Sequence, residues 1–177
     1  MLGKQLHITY EETLNQSVNS VYNSDESGIV KKPARGTGLW TSTWREETQD
    51  SDWVEWCVGE DFGKPYEKNW YLLTLQEDIK LYVIDSLRGL HKLLRAYPWD
   101  QNKWREYGFR CIAIDFEKLA LDYDGIHLTE KGNEETHLSY PDDLNSWDCE
   151  STLWFRWCFS EVQKIEVPQP VAVEQEG

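Results

Sequence analysis

The 177-residue sequence predicts an α+β domain of short strands with a few peripheral helices. Three observations carry that prediction. Several five- or six-residue apolar runs, such as Leu6–Tyr10, Trp70–Leu75 and Gly125–Thr129, have strand length and strand composition. The best helical stripe in the chain is in Leu87–Tyr97, formed by Leu87, Leu90, Leu93, Leu94 and Tyr97. Strand-like and helix-like segments are mixed along the chain with no repeat and no interior linker, so residues 1–167 read as one domain and 168–177 as a disordered tail.

In chain order, Leu6–Tyr10 is expected to be the first strand. Glu11–Tyr22 is expected to be a helix, with Leu14, Val18, Val21 and Tyr22 at helical spacing. Asn23–Gly38 is rich in Ser, Asp, Gly and Pro and reads as loop. Leu39–Thr43 reads as a short strand. Asp50, Ser51 or Asp52 is placed to cap a short helix carrying Trp53, Val54, Trp56 and Cys57. Trp70–Leu75 and Ile79–Ile84 follow as strands. Asp85 or Ser86 caps the Leu87–Tyr97 helix, and Pro98 ends it. Arg110–Ile114 is short and apolar, and Asp115 caps Phe116–Leu121. After the Gly125–Thr129 strand a polar loop of about twenty residues is expected, then a last strand over Ser151–Phe159.

Composition narrows the function classes. The net charge is −14, from 32 acidic and 18 basic residues. Non-specific nucleic-acid binding needs Lys and Arg to neutralise phosphates, so that class is disfavoured. An acidic surface suits a basic partner, and in the extreme a protein that imitates the DNA backbone. Cys57, Cys111, Cys149 and Cys158 form no Cys-x-x-Cys pair, so neither a zinc site nor a disulfide framework is expected. No signal peptide is recognised and no run approaches 18 apolar residues, which predicts a soluble, cytoplasmic protein with no membrane contact. His127 and His137, near Glu130, Glu134 and Glu135, fit no metal-ligand spacing, so no metal is assigned. Glycine-rich dinucleotide fingerprints, Walker loops and serine elbows are absent from the sequence.

One stretch concentrates loop chemistry: Lys32-Pro33-Ala34-Arg35-Gly36-Thr37-Gly38-Leu39-Trp40-Thr41-Ser42-Thr43-Trp44. Its glycines permit sharp turns and close approach to a ligand. Trp40 offers a stacking face and three hydroxyl residues offer short hydrogen-bonding groups. Lys32 and Arg35 are candidates to grip phosphates. Upstream, the first strand carries His7. Downstream come Trp53 and Trp56, and late in the chain Trp147-Asp148-Cys149-Glu150-Ser151-Thr152 delivers a glutamate to the start of an aromatic-rich strand.

In this order the features resemble the ADP-ribosyltransferase superfamily, particularly its diphtheria-toxin-like branch, over roughly residues 5 to 160. That branch has a His on the first strand, a Gly-aromatic-aromatic-Ser-Thr segment opening the next, a short helix with an aromatic, and a late catalytic Glu. The resemblance implies a split sheet with an NAD cleft, and NAD as substrate. His7 would bond the nicotinamide-side ribose, and Trp40 and Trp53 would clamp nicotinamide. Thr41, Ser42 and Thr43 would order the pocket. Glu150 would be catalytic, stabilising positive charge on the sugar as the nicotinamide bond breaks. ADP-ribose would pass to a macromolecule, such as a protein, or to water. The chain departs from the family in carrying Trp where Tyr is more common. It also has Asp148 rather than Glu or Gln two residues before Glu150, which leaves the acceptor open. The alternatives are an acidic binding or inhibitor protein, and a relative that keeps the fold without the chemistry.

Overall fold

The computed structural model describes residues 2–23, 31–99 and 114–168. Among these, seven strands and four α-helices form an α+β fold. The strands are β1 (Gln5–Thr9), β2 (Leu39–Thr43), β3 (Asn69–Leu75), β4 (Leu81–Ile84), β5 (Gly125–Leu128), β6 (Ser151–Trp154) and β7 (Phe159–Ile165). The helices are α1 (Asp52–Gly59), α2 (Leu87–Ala96), α3 (Phe116–Asp122) and α4 (Glu130–Thr136). The sheet order is β4-β5-β6-β2-β1-β3-β7. All neighbours are antiparallel except β4 and β5, which run parallel.

The junction between β1 and β2 is thin. Only Gln5↔Thr43 and Leu6↔Ser42 pair there, whereas β1 and β3 pair along their whole length. The sheet is thus nearly two: β4-β5-β6-β2 on one side and β1-β3-β7 on the other. Apolar packing follows that division. One core gathers Ile84, Ile126, Leu128 and Leu153 under α2 and α3. In β3, Trp70 and Leu72 face a second core with Val54 of α1, while Tyr71 and Leu73 face a third with Trp154 and Phe159. This is the period-2 alternation of a strand buried on both faces.

The expected strands and the α1, α2 and α3 helices are present within a residue or two, but three expectations are corrected. No helix forms over residues 11–22. Asn19 and Tyr22 carbonyls instead accept from Gly38 and Ala34 N–H groups, and the Asn19 amide donates to the Gly36 carbonyl. The segment is held by the loop before β2, and polar Asn and Ser side chains favour such local bonds over helix. The polar stretch after β5 contains α4, capped by Thr129 accepting from Gly132 N–H. Only Gly132 and Thr136 of that helix are buried, so no apolar stripe announced it. The Ser151–Phe159 segment is two strands, because the chain leaves β6 at Trp154 and crosses to the opposite edge of the sheet as β7. Residues 24–30 of the expected loop, residues 110–113 of the Arg110–Ile114 segment (with Cys111), and residues 169–177 of the expected tail lie outside the described residues. Cys57, Cys149 and Cys158 are buried free thiols. Among the described residues no helix is long and apolar enough to cross a membrane.

Candidate functional site

Where β1 and β2 part, a cavity of about 330 Å³ opens. His7, Trp40, Thr41, Ser42 and Trp53, the five residues expected to bind a dinucleotide, all line it. β1 supplies His7, β2 supplies the next three and the first turn of α1 supplies Trp53. Gly38 makes the entry into β2 possible: its φ is +68°, and a Cβ there would lie 2.4 Å from Leu153 Cδ1.

The His7 ring bridges the fork. Its Nδ1 lies 2.8 Å from the Trp40 carbonyl oxygen. A carbonyl only accepts, so Nδ1 carries the proton and Nε2 is left as an acceptor. Burial lowers the His7 pKa, although the bond to Trp40 opposes the shift. The neutral imidazole is therefore the form present at neutral pH, suited to accept from a hydroxyl.

The aromatic walls are braced. Trp40 meets Trp147 edge-on at 4.8 Å, and Trp53 stacks on Trp56 at 5.2 Å. Lys32 Nζ sits 5.6 Å from the Trp40 ring centre and 3.7 Å from Asp148 Oδ2. Lys31 is buried and ion-pairs with Asp143, and the Trp147 indole donates to the Lys31 carbonyl. These contacts pin the loop before β2 to the loop before β6. Arg35 does not line the cavity.

Glu150, the expected catalytic residue, is 7% exposed at the start of β6. Its Oε2 accepts from Ser42 Oγ at 2.8 Å and from the Thr43 backbone N–H at 2.9 Å, and its Oε1 accepts from Thr43 Oγ1 at 2.8 Å. The Thr43 hydroxyl ends a directed chain. The Trp154 indole donates to Thr41 Oγ1, and Thr41 donates to Gln5 Oε1. Gln5 Nε2 then donates to Thr43 Oγ1 at 3.2 Å. An indole N–H can only donate and an ionised carboxylate only accepts, so the direction of the whole relay is set by its ends. Burial raises the Glu150 pKa, against the pull of the Thr43 and Ser42 donors. The geometry, with three donors and no acceptor, is built for the anion.

Glu150 does not line the aromatic cavity. It opens onto two adjoining hollows of about 390 and 240 Å³, both shared with Asp52 and Glu130. Its chain neighbours Cys149 and Ser151, and its partner Ser42, do line the cavity. Asp148 and Cys149 form a wall common to the cavity and the larger hollow. The site is thus an aromatic pocket and an acidic trough meeting at the Asp148–Cys149 wall, with Ser42 on the pocket side bonded to Glu150.

Four contributors were not legible as site residues. Gln5 lies just outside the expected first strand, yet it is fully buried and joins β2 to the carboxylate relay. Asp52 reads as a helix cap. Its pKa is pushed up to about 6 by desolvation first, then by Glu150, Glu130 and Glu55, with Arg45 opposing. His127 lies 3.5 Å from Glu150 Oε1 and 2.8 Å from Thr152 Oγ1, with burial lowering its pKa to about 4. It is neutral at physiological pH and forms no ion pair with Glu150 there. Trp147 stands in the sequence only as the start of the segment that delivers Glu150, yet it lines the cavity. Among the described residues, no cluster of His, Cys, Asp and Glu has the arrangement of a metal site.

No family model, curated protein or solved structure matches this chain.

Proposed function

We propose that the protein is an ADP-ribosyltransferase-like enzyme that binds NAD at the β1–β2 fork and cleaves its nicotinamide–ribose bond. One observation carries the reading: five residues picked from separate parts of the sequence for one ligand line one cavity, beside a glutamate held by three donors. The cavity is at the small end of the range for ligand sites, about 300–1,000 Å³, and suits the nicotinamide–ribose half. Nicotinamide lies between Trp40 and Trp53, and His7 Nε2 accepts from a ribose hydroxyl. The sugar reaches past Ser42 toward Glu150, whose negative charge stabilises the oxocarbenium-like transition state more than the ground state. Lys32 reaches the phosphates after leaving Asp148. ADP-ribose passes to a macromolecular acceptor or to water, in a cytoplasmic setting.

An acidic inhibitor or DNA mimic needs carboxylates on an open face and has no use for paired tryptophans in a cavity. The enzyme needs Trp40 and Trp53 on one pocket that Glu150 also reaches. Both Trp line the pocket, which supports the enzyme, while Glu150 lies outside its lining and connects to it through Ser42. The test is intrinsic tryptophan fluorescence during NAD titration. Saturable quenching that disappears in Trp40→Ala supports the site. An unchanged signal at millimolar NAD removes it and brings the acidic-inhibitor reading forward.

A further inference from the structure

We propose that Asp52, at the first turn of α1, is the general base that takes the proton from the nucleophile attacking the sugar. This rests on the NAD-cleaving reading above and adds the step that follows bond cleavage.

Glu150 is poorly placed to take that proton. Both of its oxygens are occupied by donors, Ser42 and Thr43 among them, and the relay from Trp154 ends on it. Accepting a proton on Oε2 would set an O–H against the Thr43 backbone N–H, which can only donate, and a proton on Oε1 would reverse the end of the relay. These donors favour the Glu150 anion, against the burial that raises its pKa. Water or an acceptor side chain must still lose a proton when it bonds to the sugar, and a second group has to receive it.

Asp52 is placed for that. It shares both hollows with Glu150, on the side away from the tryptophan pocket where nicotinamide would leave. Arg45 fixes it by spending three nitrogens on three carboxylates: Nε on Asp50 at 2.9 Å, Nη1 on Asp52 Oδ1 at 2.8 Å and Nη2 on Glu55 at 2.9 Å. Asp52 Oδ2 has no hydrogen-bond donor among the described residues. The groups around Asp52 are Arg45 after β2 (itself paired with Asp50), Glu55 on α1, Glu130 on α4, His127 on β5 and Glu150 just before β6. Burial first, then Glu150, Glu130 and Glu55, lift its pKa to about 6 against Arg45, near the working pH that a general base requires. Two carboxylates in one site are thereby given different tasks by their surroundings.

The step balances. The C–N bond to nicotinamide breaks and its electron pair stays on the ring nitrogen, giving neutral nicotinamide. The oxygen of water bonds to the sugar carbon, its proton passes to Asp52, and Asp52 later releases it to solvent. No oxidant or metal enters.

The test measures nicotinamide release from NAD between about pH 5 and 8 for wild type, Asp52→Asn and Glu150→Gln, with water or added hydroxylamine as nucleophile. General-base loss lowers turnover in water about 100-fold or more. In Asp52→Asn we expect that loss with NAD binding unchanged, disappearance of the acid limb near pH 6, and recovery by hydroxylamine, which attacks before losing its proton. Glu150→Gln should be slow with either nucleophile. If turnover depends on Glu150 but Asp52→Asn keeps wild-type rate and acid limb, the assignment of Asp52 is overturned and the cleavage reading stands. If wild type releases no nicotinamide, both fall. Should Asp52→Asn fail to fold, Asp52→Glu carries the test: an acid limb at an unchanged pH overturns the proposal.

Discussion

Ser42 sits at the meeting point of three elements. Its hydroxyl belongs to β2, donates to Glu150 at the start of β6 and lies 3.4 Å from the Trp53 N–H on α1. Replacing it with Ala removes one donor from a buried carboxylate, a loss of about 1–3 kcal/mol in such settings. We expect Ser42→Ala to raise the Glu150 pKa further, to slow nicotinamide release at least tenfold and to leave NAD quenching of fluorescence largely intact. Equal loss of binding and turnover would argue that Ser42 contacts NAD directly and does not act through Glu150. Asp52 gives a prediction of the opposite kind. Its folded-state pKa of about 6 exceeds the ordinary 3.8. Between those values the folded protein holds more protons than the unfolded chain. The stability Asp52 contributes is therefore complete below about pH 3.8 and lost as pH rises through 6. Asn mimics the protonated form, so Asp52→Asn should be more stable than wild type above pH 7, by on the order of 1–3 kcal/mol. His127 works the other way. Its pKa falls from 6.5 to about 4, so its contribution is present above pH 6.5 and lost as pH falls toward 4. The two partly cancel between about pH 4 and 6. Thermal melts of Asp52→Asn across that range should expose the acid loss that wild type masks. A folded Asp52→Asn variant that is no more stable than wild type would contradict this burial account of Asp52.

Elements differ in how much of them the sequence disclosed. α2 was legible because its apolar residues recur on one stripe and Ser86 caps it, accepting from Gly89 N–H. β2 was legible down to its bounds, Leu39–Thr43, because glycines end the loop before it and hydroxyl and aromatic residues fill it. α4 was not, since it lies along the rim of the acidic trough and buries almost no apolar surface. Its position depends on Gly132 instead, where a Cβ would stand 2.1 Å from the Ile84 carbonyl oxygen of β4. Gly132→Ala must push the helix off the sheet. We expect a loss of about 3 kcal/mol and a fall in Tm of about 6–12 °C, measured by calorimetry. An unshifted Tm would mean that α4 is free to move. The site shows the same division. Side chains with distinctive chemistry (His7, Trp40, Trp53, Glu150) could be singled out from local sequence. Gln5, Asp52 and His127 could not, because their roles arise only when β1, α1 and β5 are brought against β2 and β6. The Glu11–Tyr22 expectation failed for a related reason. Its helical spacing was real, but its backbone partners lie in the loop at 34–38 and not one turn away.

At the scale of the molecule, the charge of −14 is not spread without consequence. The trough beside Glu150 is lined by Asp52, Glu55, Glu130, Glu134 and Asp148, so an anionic dinucleotide approaches against a repulsive field. Salt screens such fields within about 8–10 Å near physiological ionic strength. NAD association should therefore quicken as salt rises from low concentrations, in stopped-flow fluorescence, and slow if attraction to Lys32 dominated the encounter. The sheet gives this arrangement its logic. Two paired residues join its halves at one end of β1 and β2, and the divergence beyond them makes room for a ligand without a separate domain. The most direct measurement of the central claim is nicotinamide release from NAD by wild type and by Glu150→Gln under conditions where both bind NAD. The account predicts turnover in wild type and a loss of at least 100-fold in the variant, in which the charge alone is removed. Equal rates, or no release by wild type at saturating NAD, would contradict it.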